Sequence, residues 1–211
     1  MNVPGWQTLE ILDSIDGLTL TAGNGNNAIS AAGDRSNPAK PAFDGQFIAD
    51  GRLGVDVITG GTYRNWLIGG GIVSPGSETA LSALGIDILN GTTGALDVFD
   101  LRSSGGASDA YANPNAGKAL INNFTVGEDA IVLSGAQTDY NVNINTVTTG
   151  TRRRPRTSTT VEIRSASTSE VIASFSGTAF SSTTTADDLN IHYEVDTAPA
   201  TTMINGQFLF V

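Results

Sequence analysis

The sequence predicts an all-β fold: a short, irregular parallel β-roll or β-solenoid, followed by a mainly antiparallel β-sheet or sandwich unit. Three observations carry this expectation. Twenty-five glycines in 211 residues, set among abundant Thr, Ser and Asn, favour short strands joined by tight turns over helices. In the first half, glycine, an Asp or Asn and an aliphatic residue return on a spacing of nine. In the second half, apolar and polar residues alternate as they do along half-buried strands.

In chain order, "GLTLT" (17 to 21) supplies Leu18 and Leu20, and "GNGNNAIS" gives Gly23, Gly25, Asn27 and Ile29. Counting in nines from Gly51 puts Gly54 fourth, Asp56 sixth and Ile58 eighth. The next unit has Gly60 and Gly61 first and second, Asn65 sixth and Leu67 eighth. "LGIDILN" resumes the pattern with Gly85, Asp87 and Leu89, and "GTTGALDVF" follows with Gly91, Gly94, Asp97 and Phe99, one residue out of step. A unit this small cannot bury its apolar residue alone and must stack on its neighbours, so the eighth positions are expected to form an inner ladder. Two Pro-, Gly- and Ser-containing stretches, 31–45 and 71–85, read as surface excursions, the second with one short helix at 77–84.

The nonapeptide register ends near residue 102, which divides the chain into a roll (1–102) and a strand-rich capping unit (103–211). In the second part Val142 and Ile144, Val161 and Ile163, Val171, Ala173 and Phe175, Ile191, Tyr193 and Val195, and Phe208 and Phe210 each lie on one face of an alternating segment.

With these residues in view, the pattern G-G-x-G-x-D-x-apolar-x resembles the calcium-binding repeat of the repeats-in-toxin (RTX, haemolysin-type) family. The stretch Asp97 to Phe99, followed by Ile121 to Phe124, Asp129 to Leu133 and Thr138 to Tyr140, is similar to the unit that follows the last repeat in bacterial, including cyanobacterial, RTX-like proteins. Asn123 stands where that unit usually has Asp, and G-G-x-G-x-D in full occurs nowhere. The resemblance implies a roll in which Ca2+ lies between adjacent turns, held by glycine-loop carbonyls and stacked sixth-position carboxylates. Carried onto this chain, the metal set is Gly54, Asp56, Gly61, Asn65, Asp87, Asp97 and Asp100, with Asp56 stacked over Asn65 and Asp87 over Asp97. Calcium needs six to eight oxygens and favours anionic ones, whereas Asp and Asn also serve tight turns as plain hydrogen-bonding groups. Both readings stand.

The charge of −10 argues against nucleic acid as a partner, and no apolar run approaches the length of a membrane-spanning helix. Without cysteine there are no disulfides and no thiolate chemistry. His192 is alone of its kind, which excludes an H-E-x-x-H metal site, and no G-x-S-x-G turn is present. His192 reads as an exposed strand residue, Trp6 and Trp66 as packing, and "GNGN" (23 to 26) lacks the lysine of a phosphate loop. "TRRRPRTS" (151 to 158) gathers Arg152, Arg153, Arg154 and Arg156 at a hairpin tip stiffened by Pro155, read either as a solvated tip or as a prong for an acidic surface such as that around Asp109 or Asp187 and Asp188 of a neighbour. The N-terminus has neither the basic nor the apolar region of a Sec signal. The sequence therefore points to a non-enzymatic, structural or adhesive protein outside the cell or on its surface, exported without such a signal and self-assembling as a homo-oligomer or larger assembly. A virion component and a carbohydrate-binding or hydrolase accessory module are the alternatives.

Overall fold

The computed structural model describes residues 17–23, 25–33, 41–70, 86–102, 110–111, 117–151, 154–178, 180 and 183–194. These are mostly strand, with two single-turn 3-10 segments. The strands are β1 (Gly17–Thr21), β2 (Ala28–Ser30), β3 (Gln46–Asp50), β4 (Val57–Thr59), β5 (Arg64–Ile68), β6 (Ile86–Asn90), β7 (Leu96–Asp100), β8 (Lys118–Thr125), β9 (Ala130–Ser134), β10 (Tyr140–Thr151), β11 (Arg154–Ser165), β12 (Val171–Thr178) and β13 (Ile191–Glu194). They form a six-stranded sheet, β1-β3-β5-β7-β9-β13, and a seven-stranded sheet, β10-β11-β12-β8-β6-β4-β2.

From β1 to β9 each strand lies in the sheet opposite to its predecessor. Two consecutive strands thus complete one circuit, and a strand's hydrogen-bonded neighbour is the strand two further along, always parallel to it. The shortest circuit sets Gln46 opposite Arg64, eighteen residues apart, which is two units of nine. Longer circuits hold the same register: Arg64 faces Leu96 although residues 71–85 intervene. Each insertion is absorbed within its circuit.

The strand period of two explains what lies inside. Ile29, Ile58, Leu89 and Ile121 align across the seven-stranded sheet, and Ala49, Leu67, Phe99 and Ile131 across the six-stranded one. All eight are buried and belong to one core. Beyond them Phe124 stacks between Phe99 and Phe175, at centroid distances of 6.1 and 4.9 Å. Asn123, at φ 61°, sits in β8 across from the register shift between Ser176 and Gly177; the left-handed conformation suits an Asn in such a bulge. A second, smaller cluster of Trp66, Val98, Ala130 and Val132 is also buried; by alternation these residues lie on the other face of the six-stranded sheet.

The second half is less antiparallel than its alternation suggests. Only β10, β11 and β12 pair antiparallel; β12 joins β8 in parallel and β13 joins β9 in parallel. Alternating apolar residues fix which face is buried but carry no strand direction, so this difference was invisible in the pattern. Strands on both sides of residues 102 and 103 belong to the same two sheets. The pair β12–β13 repeats the circuit of β8–β9, and the hairpin β10–β11 is spliced between them. The expected helix at 77–84, the terminal strand holding Phe208 and Phe210, and Trp6 lie outside the described residues.

Close packing of circuits gives the glycines their purpose. A Cβ on Gly51 would lie 2.6 Å from Asp56 Oδ2, and one on Gly60 2.7 Å from Asn65 Cγ, so the first-position glycine vacates the space into which the sixth-position side chain folds. At Gly61 the Phe43 carbonyl of the preceding circuit occupies that space instead. Gly61→Ala is therefore expected to destabilise the protein by about 2 kcal/mol or more, the scale of forced overpacking, read from the midpoint of denaturant unfolding.

Candidate functional site

Sixth-position residues share the inner face with the eighth-position aliphatics and stand where each strand begins. Along the seven-stranded sheet they stack as Asn27, Asp56 and Asp87, and along the six-stranded sheet as Asn65, Asp97 and Asp129. The pairs expected from sequence, Asp56 over Asn65 and Asp87 over Asp97, do not form: consecutive units belong to opposite sheets, so a unit stacks on the next unit but one. The one-residue slip before Asp97 is taken up in the turn, where Ala95 N donates to Thr92 O at 3.0 Å, and leaves the Asn65–Asp97 rung intact.

Each ladder is laced by hydrogen bonds from one circuit to the next. In the first, Asn27 N donates to Asp56 Oδ1 (2.8 Å) and Asp56 N to Asp87 Oδ1 (2.8 Å). In the second, Asn65 Nδ2 donates to Asp97 Oδ1 (2.5 Å) and Asp97 N to Asp129 Oδ1 (3.0 Å). The second carboxylate oxygen closes the residue's own turn: Thr92 N donates to Asp97 Oδ2 (2.6 Å) and Thr125 N to Asp129 Oδ2 (2.7 Å). Asn65 closes its turn with both amide atoms, accepting from Gly61 N (2.7 Å) and donating to Gly61 O (3.0 Å). Asp87 Oδ2 accepts from the buried Tyr111 hydroxyl. Gly54, at φ 143°, lets its turn press against the Gly25 carbonyl of the circuit before it.

All five charged or amide rungs from Asp56 onward are 3% exposed or less. Burial, ahead of every other cause, pushes the Asp56, Asp97 and Asp129 carboxyls up from 3.8 to about 7 and that of Asp87 to about 6; neighbouring Asp87 adds to the rise at Asp56, and Asp129 to that at Asp97. Burial also raises the Tyr111 hydroxyl, helped by the charge of Asp87.

The same geometry tests the calcium set. Of the eight oxygens on Asp56, Asp87, Asp97 and Asp129, seven accept hydrogen bonds from N–H or O–H groups. Asp56 Oδ2 alone is buried without a partner. Among the described residues no three acids or histidines are grouped to hold a metal. Calcium needs six to eight oxygens, and of these carboxylate oxygens one, Asp56 Oδ2, is without a hydrogen-bond partner, so most of any set would have to come from backbone carbonyls of the turns. Asp100 belongs to neither ladder. Its carboxylate is gripped by Arg102 (Nε 2.9 Å, Nη2 2.7 Å) and by Trp66 Nε1 (3.1 Å), and Arg102 reaches on to Glu194 at 2.5 Å. An interior Arg so paired holds the strand ends of β7 and β13 together.

The other candidates find structural places. Trp66 packs in the smaller cluster. The His192 ring, half-buried, meets Asn190 Oδ1 at 3.0 Å. Arg154 and Arg156 lie in β11, opposite Thr151 and Thr149, whereas Arg152 and Arg153 fall outside the described residues. Pro155 does not end the strand as expected; β11 runs through it opposite Gly150, which is tolerable because β11 pairs with β12 only from Val161 to Arg164. The metal set drawn from the sequence left out four participants. Asp129 has the same spacing as the repeats, in Gly127-x-Asp129-x-Ile131, and Asn27 likewise follows Gly25; Tyr111 and Arg102 carry no local signal.

Two outcomes follow from the ladders. Asp97→Ala strands the Thr92 N–H and the Asn65 amide and is expected to cost about 2–4 kcal/mol, and Asp97→Asn, which keeps one acceptor but turns an N–H toward the other donor, is expected to cost about 1–3 kcal/mol; urea unfolding measures both. Acids with folded pKa values above their unfolded ones stabilise the fold fully below about pH 4, and that contribution is lost as pH rises through 6 and 7. The melting temperature is therefore expected to be higher at pH 5 than at pH 8, with a smaller difference in Asp129→Asn. Comparison with known proteins returns no matching family model, no matching curated protein and no matching solved structure.

Proposed function

We propose that the chain is a non-enzymatic structural building block, an RTX-like β-roll that acts outside the producing cell as a unit of a larger surface or filamentous assembly. One observation carries this reading: the buried acids, which would be the reactive groups of an enzyme, are spent on the backbone donors of adjoining circuits. What remains for function is the exterior. Among the described residues β1, β13, β2 and β10 are the outermost strands of the two sheets, and edge strands favour joining to another chain.

On this reading the roll stands by packing and ladder hydrogen bonds and does not await a metal. Full-length protein is expected to melt at the same temperature in chelator as in buffer, with calcium adding little; a chain unfolded by chelator would overturn this. Sedimentation of the full chain at low ionic strength tests the assembly itself. Species larger than one chain are expected, and a strict monomer at every concentration would sink the reading.

A further inference from the structure

The two sheets present different outer faces. On the six-stranded sheet the outward row of Trp66, Val98 and Ala130 is buried. On the seven-stranded sheet the corresponding row is open. The alternation that puts Ile58, Leu89 and Ile121 in the core turns Val57, Ile88 and Leu120 outward, aligned from strand to strand, and all three are half-buried. Beside this row stand Ile86, 46% exposed, and Val55, 37% exposed, two of the four large apolar side chains that are exposed among the described residues. A contiguous apolar strip on a folded surface marks a place where another surface binds.

The polar residues of this face are spent on one another. Asn122 Nδ2 donates to Asn90 Oδ1 at 2.9 Å, and Asn90 Nδ2 to Thr59 Oγ1 at 3.1 Å, in a row that runs alongside the apolar strip. Amides already hydrogen-bonded in this way can be covered without the desolvation cost of stranded donors. The face is also nearly free of acid. Among the described residues one acid, Glu162, points outward from this sheet, opposite Ser174, and it is paired to Arg164 at 2.8 Å. Lys118 and Arg164 against Glu162 give the face a charge of +1, two positive and one negative, where the whole chain carries −10.

Charge and area together choose the occupant. Two copies of a chain at −10 repel least where neither presents a free acid, so this face is where they can approach. Seven strands about 4.8 Å apart, each with five residues of about 3.3 Å, make a face of roughly 34 by 17 Å. Two such faces bury about 1,150 Å² between them, which is the lower end of specific interfaces. An identical partner requires neither a pocket nor an opposite charge here, only a flat apolar strip like the one it meets.

We infer that the Val57/Ile88/Leu120 face docks against the same face of a second copy of this chain, sheet on sheet about a two-fold axis. Ile88 lies nearest that axis, because β6 is the middle one of the five parallel strands β2-β4-β6-β8-β12. A surface that meets itself closes the contact, so the product is a pair, and a larger assembly grows from such pairs through the edge strands named above. Salt screens the repulsion between the acidic remainders of the two copies and leaves the apolar contact in place, so the pair tightens as salt is raised.

This inference rests on the assembly reading above and specifies one of its contacts. The test uses full-length chains, with circular dichroism to confirm that β content is unchanged, since Val55 and Ile86 lie outside the core. Val55→Glu with Ile86→Glu is expected to weaken association at least about tenfold by sedimentation, because it puts unpaired charge into the covered strip; Val55→Thr with Ile86→Thr is expected to weaken it less. The chain has no cysteine, so Ile88→Cys places one thiol at the axis. A short bismaleimide, long enough to bridge the roughly 10 Å between packed sheets, is expected to join two copies of that variant. It is expected not to join copies of Tyr63→Cys, whose position is 49% exposed but lies ahead of β5 in the other sheet. Association unchanged by the two glutamates would overturn this face as the contact while leaving assembly standing. Equal cross-linking of the two cysteine variants would reduce the encounter to random collision and overturn the two-fold packing. An unaltered chain that stays single at every concentration would overturn both the contact and the assembly reading.

Discussion

The fold depends on one interaction, repeated: a buried carboxylate that accepts a backbone N–H from the adjoining circuit. The burial of a single Leu or Phe contributes about 1.5–3 kcal/mol, and a single hydrogen bond about 0.5–1.5 kcal/mol, so the aliphatic rows supply most of the stabilisation. They do not supply register, because Ile58 would be as well buried against Leu89 slid along by two residues. The carboxylate does. Asp56, Asp87, Asp97 and Asp129 each meet one N–H or amide at one height, and a slip would leave an acid and a donor unmatched in a dry interior.

Much of this was legible in the sequence, and the unread part has physical causes. The spacing of Gly51, Asp56 and Ile58 encodes a turn, a buried acid and a core residue, and all three take those places. What the spacing does not encode is which unit lies above which. Two sheets share the work, so the stacking partner of Asp56 is Asp87, 31 residues on, and Asn65 meets Asp97 across 32; the insertion between them disguises both. Asp129 was hidden differently, by lying past the point at which the repeat looks finished. The Arg102–Asp100–Glu194 group joins residues 92 apart in sequence and could be found only in three dimensions.

The ladder also reframes the acidity of the chain. Charge on a surface and charge in a core have different consequences, and here four acids with raised pKa values belong to the core. Each row opens on an amide, Asn27 or Asn65, and continues with two acids. An amide carries the same acceptor without a charge to desolvate, so a row that begins with Asn and continues with Asp concentrates its electrostatic cost at the far end. The hydroxyl of Tyr111, donated to Asp87, relieves the end of the first row, and the turn at Thr125 relieves that of the second.

The circuit has a last consequence, for the order in which the chain acquires its shape. No parallel strand here can pair until some thirty residues more have been made, apart from the eighteen between β3 and β5, and closing such loops must precede any gain from the contacts they bring. A circuit is stabilised by the neighbours it stacks on, so order can begin at any circuit and spread to the next in either direction. The hairpin β10–β11 departs from that rule, since its strands are joined by two residues and need only each other. It can zip on its own timescale while β12 and β13 are still seeking their places.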